Sequence, residues 1–121
     1  MKHEYKGIRR ILSAFKNSFD GFLFAFREEE AFRQDLLVFV IGLSLIFVFD
    51  FSLMERLFLF SSLLFILFAE LTNSAVEACI DRISPEWHKL SKAAKDIGSL
   101  LVLLSFIYFL VVWGCLFAKF I

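Results

Sequence analysis

The sequence is poor in the residues that make turns and in the motifs of soluble nucleotide sites. Its 121 residues include one proline, five glycines and two cysteines. Neither a GxxxxGK[ST] loop nor a GxGxxG loop occurs, which excludes the two common phosphate-binding loops of soluble proteins. Cys79 and Cys115 have no ligand spacing around them, so no zinc site is indicated. Charged residues interrupt the first apolar stretch, and we therefore expect no cleavable signal peptide.

Apolar side chains are what the sequence has in excess. Hydrophobic residues make up 60% of the chain, and 18 of them are phenylalanine. Ordinary soluble domains contain roughly 45–50% apolar residues. A soluble domain of this length could not bury so much apolar surface. We therefore predict an all-α integral membrane protein with a single domain, residues 1–121.

An amphipathic helix is predicted ahead of the apolar segments, over about residues 6–30. Its apolar residues follow the 3, 4, 7 spacing of one helical face: Ile8, Ile11, Leu12, Phe15, Phe19, Phe22, Leu23 and Phe26. Basic and polar residues lie off that face. A basic, phenylalanine-rich helix before a membrane anchor is typical of the lipid interface. The alternative, a core helix of a soluble domain, has no soluble sequence after it to pack against.

Three long segments with few charges follow the amphipathic helix. We predict transmembrane helices over about residues 34–54, 57–82 and 94–119, each near the ~20 residues that a span needs. Asp50, Glu55 and Arg56 are expected to form a short turn between the first two spans. The segment 84–86, Ser-Pro-Glu, is expected to begin the helix leading into the third span.

Basic residues are distributed unequally between the two sides of these spans. Eleven lie before the first span or between the second and third: Lys2, Lys6, Arg9, Arg10, Lys16, Arg27, Arg33, Arg82, Lys89, Lys92 and Lys95. Only Arg56 and Lys119 fall on the other side. The positive-inside rule therefore predicts a cytoplasmic N-terminus and an external C-terminus in the cytoplasmic (inner) membrane.

Polar residues form a stripe on the predicted second span. Glu70, Asn73, Ser74, Glu77 and Asp81 recur at helical spacing, so they share one side of the helix. A charge at membrane depth costs at least ~2.5 kcal/mol, and such residues mark functional sites by default. The alternative is a packing network with protonated glutamates. Three short helices enclose this stripe poorly, which favours an oligomer.

Further charged residues are expected on the same side of the membrane. They comprise the glutamate run 28–30, Arg10 on the amphipathic helix, and Lys95 and Asp96 before the third span. Carboxylates beside cations suit a polyphosphate that carries Mg²⁺, because oxygens bind the metal and cations bind the phosphates. The residues alone indicate a membrane protein with an acidic site at its cytoplasmic interface.

Three segments resemble the small prokaryotic diacylglycerol kinases. ELTNSAVEACIDR at 70–82 resembles the family signature, AFRQD at 31–35 its AFRQE element, and AKDIGS at 94–99 its AKDxGS element. The likeness covers nearly the whole chain. It implies a homotrimer in which each chain has a surface helix and three transmembrane helices. It also implies transfer of the γ-phosphate of ATP to the hydroxyl of diacylglycerol, with Mg²⁺ as cofactor.

The resemblance assigns roles to individual residues. Glu70 would be the general base and Asn73 would help to position it, while Glu29 and Glu77 would hold the metal. The ATP-binding residues would be Arg10, Asn17, Glu29, Glu77, Glu86, Trp87, His88, Lys95 and Asp96. The lipid substrate would contact Arg10, Ala31, Phe32, Arg33, Gln34, Asp35, Arg56, Glu70, Ser99 and Trp113. The chain departs from the family pattern at Asn17, Trp87 and Asp35, where Tyr, Tyr and Glu are usual, and Glu28 or Glu30 could share the role of Glu29.

Other functions are compatible with parts of the sequence. A proton- or cation-coupled small transporter would explain Glu70 and Glu77, but not Lys95 and Asp96 or the amphipathic helix. A non-catalytic adaptor leaves the buried glutamates without a purpose. Within the enzyme class, the substrate could be undecaprenol, a polyprenyl alcohol, although the AKDIGS segment leans towards diacylglycerol. We expect no nucleic acid among its partners.

Overall fold

The structure, a computed structural model, describes residues 6–121 and consists there of helices without strands. Four α-helices are formed: α1 (Ile8–Glu28), α2 (Glu30–Val48), α3 (Leu53–Ile83) and α4 (Lys89–Phe117), with a 3-10 turn at Ala118–Phe120. Three of them, α2, α3 and α4, are long and apolar enough to cross a membrane. The basic residue Lys2 lies outside the described part of the chain.

The first two helices meet at a single non-helical residue. Glu29 has φ −115° and ψ 105°, an extended conformation that breaks the helix. Arg33 donates from Nη1 to the carbonyl oxygens of Phe26 (2.7 Å) and Arg27 (3.2 Å). Because the last carbonyls of a helix have no partner within it, this contact closes the end of α1. Phe32 is 1% exposed and its ring meets that of Phe22 edge-on, which anchors α1 on α2.

Two of the predicted boundaries are wrong. Glu55 and Arg56 are not in the turn, because α3 already begins at Leu53. Ser52 caps it: its hydroxyl accepts from the Glu55 amide, and the Glu55 carboxylate accepts from the Ser52 amide. This is a capping box, whose S-x-x-E spacing is visible in the sequence.

The second wrong boundary is the start of the last helix. Residues 84–86 do not begin it, since Ser84 ends α3 and α4 starts at Lys89 with His88 as its N-cap. A proline after a helix end stops the helix from continuing.

The core lies between α2, α3 and α4, away from α1. Ile46, Phe51, Leu59 and Leu63 form its buried centre. Trp113 donates its indole N–H to the fully buried hydroxyl of Ser62 at 2.8 Å. Most other large apolar side chains are exposed on the isolated chain, as expected for helices that face lipid or another subunit.

Candidate active site

The polar stripe of α3 is buried at Glu70 and becomes exposed towards Asp81. Glu70 is 7% exposed, and Asn73 and Glu77 are half-buried. The Asn73 amide nitrogen lies 3.5 Å from Glu77 Oε2, to which it donates a long hydrogen bond. The spacing of these residues had predicted a shared face, and the helix does bring them together one turn apart.

Glu70 meets a second carboxyl group, that of Asp35 on α2. Asp35 is also 7% exposed, and its carboxyl group lies beside that of Glu70. The second oxygen of Asp35, Oδ2, is buried without a partner. The α2–α3 contact therefore places a second carboxyl group, with an unused acceptor, beside the predicted base.

A polar cavity of about 380 Å³ opens at the junction of α3 and α4. Among its lining residues are Asp81, Glu86, Trp87, His88, Lys95 and Asp96, so it gathers five of the nine predicted ATP-binding residues. Lys95 Nζ lies 2.9 Å from Asp81 Oδ1, and Lys92 Nζ lies 2.7 Å from Asp96 Oδ2. Cations are thus held at the cavity by carboxylates from both helices, which suits an anionic ligand that brings its own metal.

The other predicted ATP-binding residues do not line this cavity. Arg10 and Asn17 are exposed on α1, and Glu77 is on α3 one turn nearer to Glu70. Glu29 is half-buried at the break between α1 and α2, whereas its neighbours Glu28 and Glu30 are exposed. The burial thus differs within the glutamate run in a way that the sequence could not indicate.

The carboxylates do not converge on one point within a single chain. Among residues 6–121, no three Asp, Glu, His or Cys side chains form a group that could hold a metal ion. Mg²⁺ usually takes one or two protein carboxylates together with substrate phosphates and water, rather than an all-protein cage. The half-buried Glu77, with its single long contact from Asn73, fits that pattern.

Eight of the ten predicted lipid-binding residues fall into two groups, and the other two are Arg10 on α1 and Glu70 itself. One group consists of residues directly after the α1–α2 junction and one residue in the N-terminal half of α4: Ala31, Phe32, Arg33, Gln34, Asp35 and Ser99. Of these, Phe32 and Asp35 are buried, and Arg33 uses one guanidinium nitrogen to cap α1. The remaining side chains are exposed.

The second group lies towards the other end of the bundle. Arg56 is 14 residues before Glu70 on the same helix, which is about 21 Å along the axis. It donates to the carbonyl oxygens of Ile46 (3.1 Å) and Phe49 (3.3 Å). Trp113 has one donor, and Ser62 accepts from it. The structure does not bring these two residues to Glu70 within one chain.

An apolar cavity of about 450 Å³ between α1 and α3 was not foreseen from the sequence. Its walls include Phe22 and Ala25 from α1, and Leu71, Ser74 and Ala78 from α3. The Ser74 hydroxyl is buried and has no hydrogen-bond partner. The small residues along both helices were the only signal in the sequence, and small residues are common in any packed helix pair.

Comparison with known proteins gives a consistent match. Residues 16–117 match the family model described as prokaryotic diacylglycerol kinase. The chain is 44% identical over 108 residues to a diacylglycerol kinase of Pseudomonas aeruginosa, covering 89% of this chain and 88% of that one. It is 35% identical over 113 residues to a diacylglycerol kinase of Escherichia coli, covering 93% of each.

A third relative extends the same result. The diacylglycerol kinase of Haemophilus influenzae is 37% identical over 108 residues, which cover 89% of this chain and 92% of the relative. The matched region of this chain contains the polar stripe of α3, the carboxyl groups of Asp35 and Glu70, and the residues that line the polar cavity. The chain therefore belongs to the prokaryotic diacylglycerol kinase family.

Proposed function

We propose that this protein is an ATP-dependent diacylglycerol kinase that forms phosphatidic acid at the cytoplasmic face of the membrane. Membership of the family supports this activity, as do three helices that could span a membrane. The observation that carries it is the buried carboxyl group of Glu70, which lies on a spanning helix that continues into a polar cavity lined with cations. A lipid hydroxyl lies at that depth, and ATP approaches from water.

Glu70 takes the proton from the lipid hydroxyl in this mechanism. The hydroxyl oxygen then bonds to the γ-phosphorus while the bond from that phosphorus to the bridging oxygen of ADP breaks. ADP leaves with the electron pair of the broken bond. Asn73, one helical turn from Glu70, helps to position this base. In phosphoryl transfer, positioning and neutralisation of charge provide most of the catalysis, so a helical frame is sufficient.

Glu29 and Glu77 would hold Mg²⁺, which neutralises charge on the transferring phosphates when it is bound. Both side chains are half-buried, and their oxygens are of the type that Mg²⁺ prefers. Lys95, Glu86, Trp87, His88 and Asp96 would bind the nucleotide around the polar cavity. Arg10 and Asn17 would reach it from α1.

The apolar cavity between α1 and α3 offers space for part of a lipid, with the unpartnered Ser74 hydroxyl in its wall. A diacylglycerol has two ester carbonyls that need donors, and the free guanidinium nitrogens of Arg33 and the amide of Gln34 could supply them. A polyprenyl alcohol has only hydrocarbon there, so each of these exposed donors that the bound lipid covered would be left unpaired, at a cost of ~1–3 kcal/mol. This difference favours diacylglycerol over undecaprenol.

A homotrimer is part of the proposal, because the single chain leaves much apolar surface uncovered. Along α1, Ile8 is 73% exposed and Phe15 is 71% exposed. Lipid at the interface and neighbouring subunits would cover such surfaces. We also propose a cytoplasmic N-terminus from the unequal distribution of basic residues. A cysteine placed beside Lys119 should then react with a membrane-impermeant reagent added from outside, and labelling only from the cytoplasm would contradict this topology.

A competition assay in mixed micelles tests the proposed substrate. The purified protein, Mg²⁺ and γ-labelled ATP are incubated with a short-chain diacylglycerol and with undecaprenol, separately and together. We expect labelled phosphatidic acid and a higher kcat/KM for the diacylglycerol. A higher kcat/KM for undecaprenol would overturn the substrate but keep the kinase, and no labelled lipid from either would overturn the kinase.

A further inference from the structure

Gly98 lies on α4 directly against Asn73 of the polar stripe of α3. It is buried, and a Cβ built on it would overlap the amide oxygen of Asn73 and lie 3.1 Å from its Cγ. The Asn73 side chain therefore occupies the space that any side chain at position 98 would fill.

The Asn73 amide has a fixed orientation in this space. The Glu77 carboxylate accepts hydrogen bonds and does not donate them, so the amide nitrogen must be the atom that faces it. The amide oxygen is then turned towards Gly98, where it is buried and has no hydrogen-bond partner. The amide thus lies between the α4 backbone at Gly98 and the carboxylate of Glu77, which would hold the metal.

We propose that Gly98 is a positioning residue for the kinase reaction, because the space above it holds the Asn73 amide in contact with Glu77. The inference rests on the proposed function. The overlapping atom is the end of a rotatable side chain, so a methyl group at position 98 would displace the amide rather than the backbone. Asn73 would then leave Glu77, and Glu77 would lose the contact that orients it.

The variant Gly98→Ala tests this positioning role together with two other glycines as controls. Loss of the residue that orients a metal ligand typically lowers metal affinity or activity by roughly 10–100-fold. We expect Gly98→Ala to raise the Mg²⁺ concentration for half-maximal activity by about tenfold, and excess Mg²⁺ to restore part of the rate.

The two control glycines separate positioning from packing. Gly114 lies on the same helix, and a Cβ there would meet nothing within 4 Å. Gly114→Ala should leave the Mg²⁺ dependence unchanged. At Gly42 a Cβ would lie 2.8 Å from Leu63 Cδ1 and 3.2 Å from Trp113 Cη2, away from the polar stripe. Gly42→Ala should lower the unfolding temperature without shifting the Mg²⁺ dependence. A shift of the same size in Gly42→Ala would overturn the inference.

A double-mutant cycle with Asn73→Ala decides whether Gly98 acts through Asn73. Residues in contact show non-additive effects, whereas independent residues add. In the Asn73→Ala background, Gly98→Ala should cost less than about twofold in kcat/KM and should leave the unfolding temperature unchanged. Equal losses in both backgrounds would overturn the inference.

The cycle stays informative if one variant or the proposed function fails. If Gly98→Ala alone does not fold, the double variant should fold, and a double variant that also fails would overturn the inference. If the wild-type protein phosphorylates no lipid, the proposed function is wrong. The cycle in unfolding temperature then still measures the coupling between positions 73 and 98, and its absence would refute the positioning contact.

Discussion

The two ends of the helix bundle differ in whether their polar side chains have hydrogen-bond partners within the fold. We call one the carboxylate end, made of Asp35, Glu70, Asn73, Ser74 and Glu77, and the other the capped end, made of Phe49, Ser52, Glu55, Arg56 and Lys119. At the capped end, Arg56 donates to two carbonyl oxygens and Lys119 Nζ lies 2.9 Å from Glu55 Oε1. The Lys119 ammonium group also lies 4.9 Å from the centre of the Phe51 ring. Its polar groups are used within the fold.

At the carboxylate end, several buried polar atoms have no hydrogen-bond partner. In the described part of the chain, the buried side-chain oxygens or nitrogens without a hydrogen-bond partner are Asp35 Oδ2, Asn73 Oδ1 and Ser74 Oγ. Leaving a buried polar group unpaired costs about 1–3 kcal/mol, so such atoms are uncommon in a finished core. Asp35 faces the predicted base, and Asn73 and Ser74 follow it by one turn of α3. The contrast indicates that the capped end holds the fold together and the carboxylate end is arranged for a ligand.

Replacing Glu70 should have the largest effect on the carboxylate end. Glu70→Gln keeps the size of the side chain but removes its ability to accept a proton, and general-base catalysis contributes typically 10²–10⁴-fold. We expect kcat to fall by at least ~100-fold, with ATP affinity and unfolding temperature close to wild type. Steady-state kinetics and thermal unfolding of one preparation would measure both, and a kcat near wild type would remove Glu70 from the base role.

Substitution of the residues proposed to hold the metal should have the second-largest effect. Glu77→Gln and Glu29→Gln should each raise the Mg²⁺ requirement by roughly 10–100-fold, because each removes a charged oxygen ligand. Glu28→Gln and Glu30→Gln are matched controls in the same run, since both side chains are exposed. Titrating Mg²⁺ at fixed ATP measures the effect. A larger effect at Glu28 than at Glu29, or no rescue by Mg²⁺ in any variant, would show that the metal is held elsewhere.

At the capped end, Arg56→Ala should affect stability rather than turnover. It removes hydrogen bonds from a guanidinium group to two carbonyl oxygens, and bonds to charged groups contribute about 1.5–3 kcal/mol. We expect a loss of about 2 kcal/mol and an unchanged KM for diacylglycerol. Lys16→Ala, which breaks an exposed pair with Asp20, is the control and should cost less than ~1 kcal/mol. A raised KM with normal stability would instead support the lipid contact predicted from the sequence.

The smallest effect is expected for Trp113→Phe. The variant keeps an aromatic ring but removes the donor to Ser62, so we expect a loss of about 1 kcal/mol. The KM for diacylglycerol should change less than twofold if the indole N–H serves only Ser62. Thermal unfolding and lipid titration measure the two quantities. A several-fold rise in KM would place the lipid at Trp113, as the family resemblance implies.

Local patterns in the sequence were sufficient for the helices and for the polar stripe. Three charge-poor segments predict three long apolar helices, and the spacing from Glu70 to Glu77 follows from the helical period alone. The capping box at Ser52 was also readable, yet the counting of apolar residues placed Glu55 in the turn. The contact of Asn73 with Gly98 could not be predicted, because it depends on how α3 and α4 are aligned with each other.

The different roles of neighbouring residues could not be predicted from the sequence either. Arg33 and Phe32 belong to one motif, but the first caps α1 and the second is buried beneath it. Trp113 and Arg56 were assigned to the lipid by resemblance, while the structure shows their donors used by Ser62 and by backbone carbonyls. Their roles at the lipid stay predictions. Which partner a donor has is decided by tertiary contacts that have no local signature.

A single-turnover comparison of the two ends tests whether catalysis depends on the carboxylate end. Wild-type protein, Glu70→Gln and Arg56→Ala are mixed with Mg²⁺, γ-labelled ATP and a short-chain diacylglycerol, well below their unfolding temperatures. We predict that wild type and Arg56→Ala form labelled phosphatidic acid at similar rates and that Glu70→Gln forms almost none. Equal rates for wild type and Glu70→Gln, or a rate lost only in Arg56→Ala, would show that catalysis does not depend on the carboxylate end.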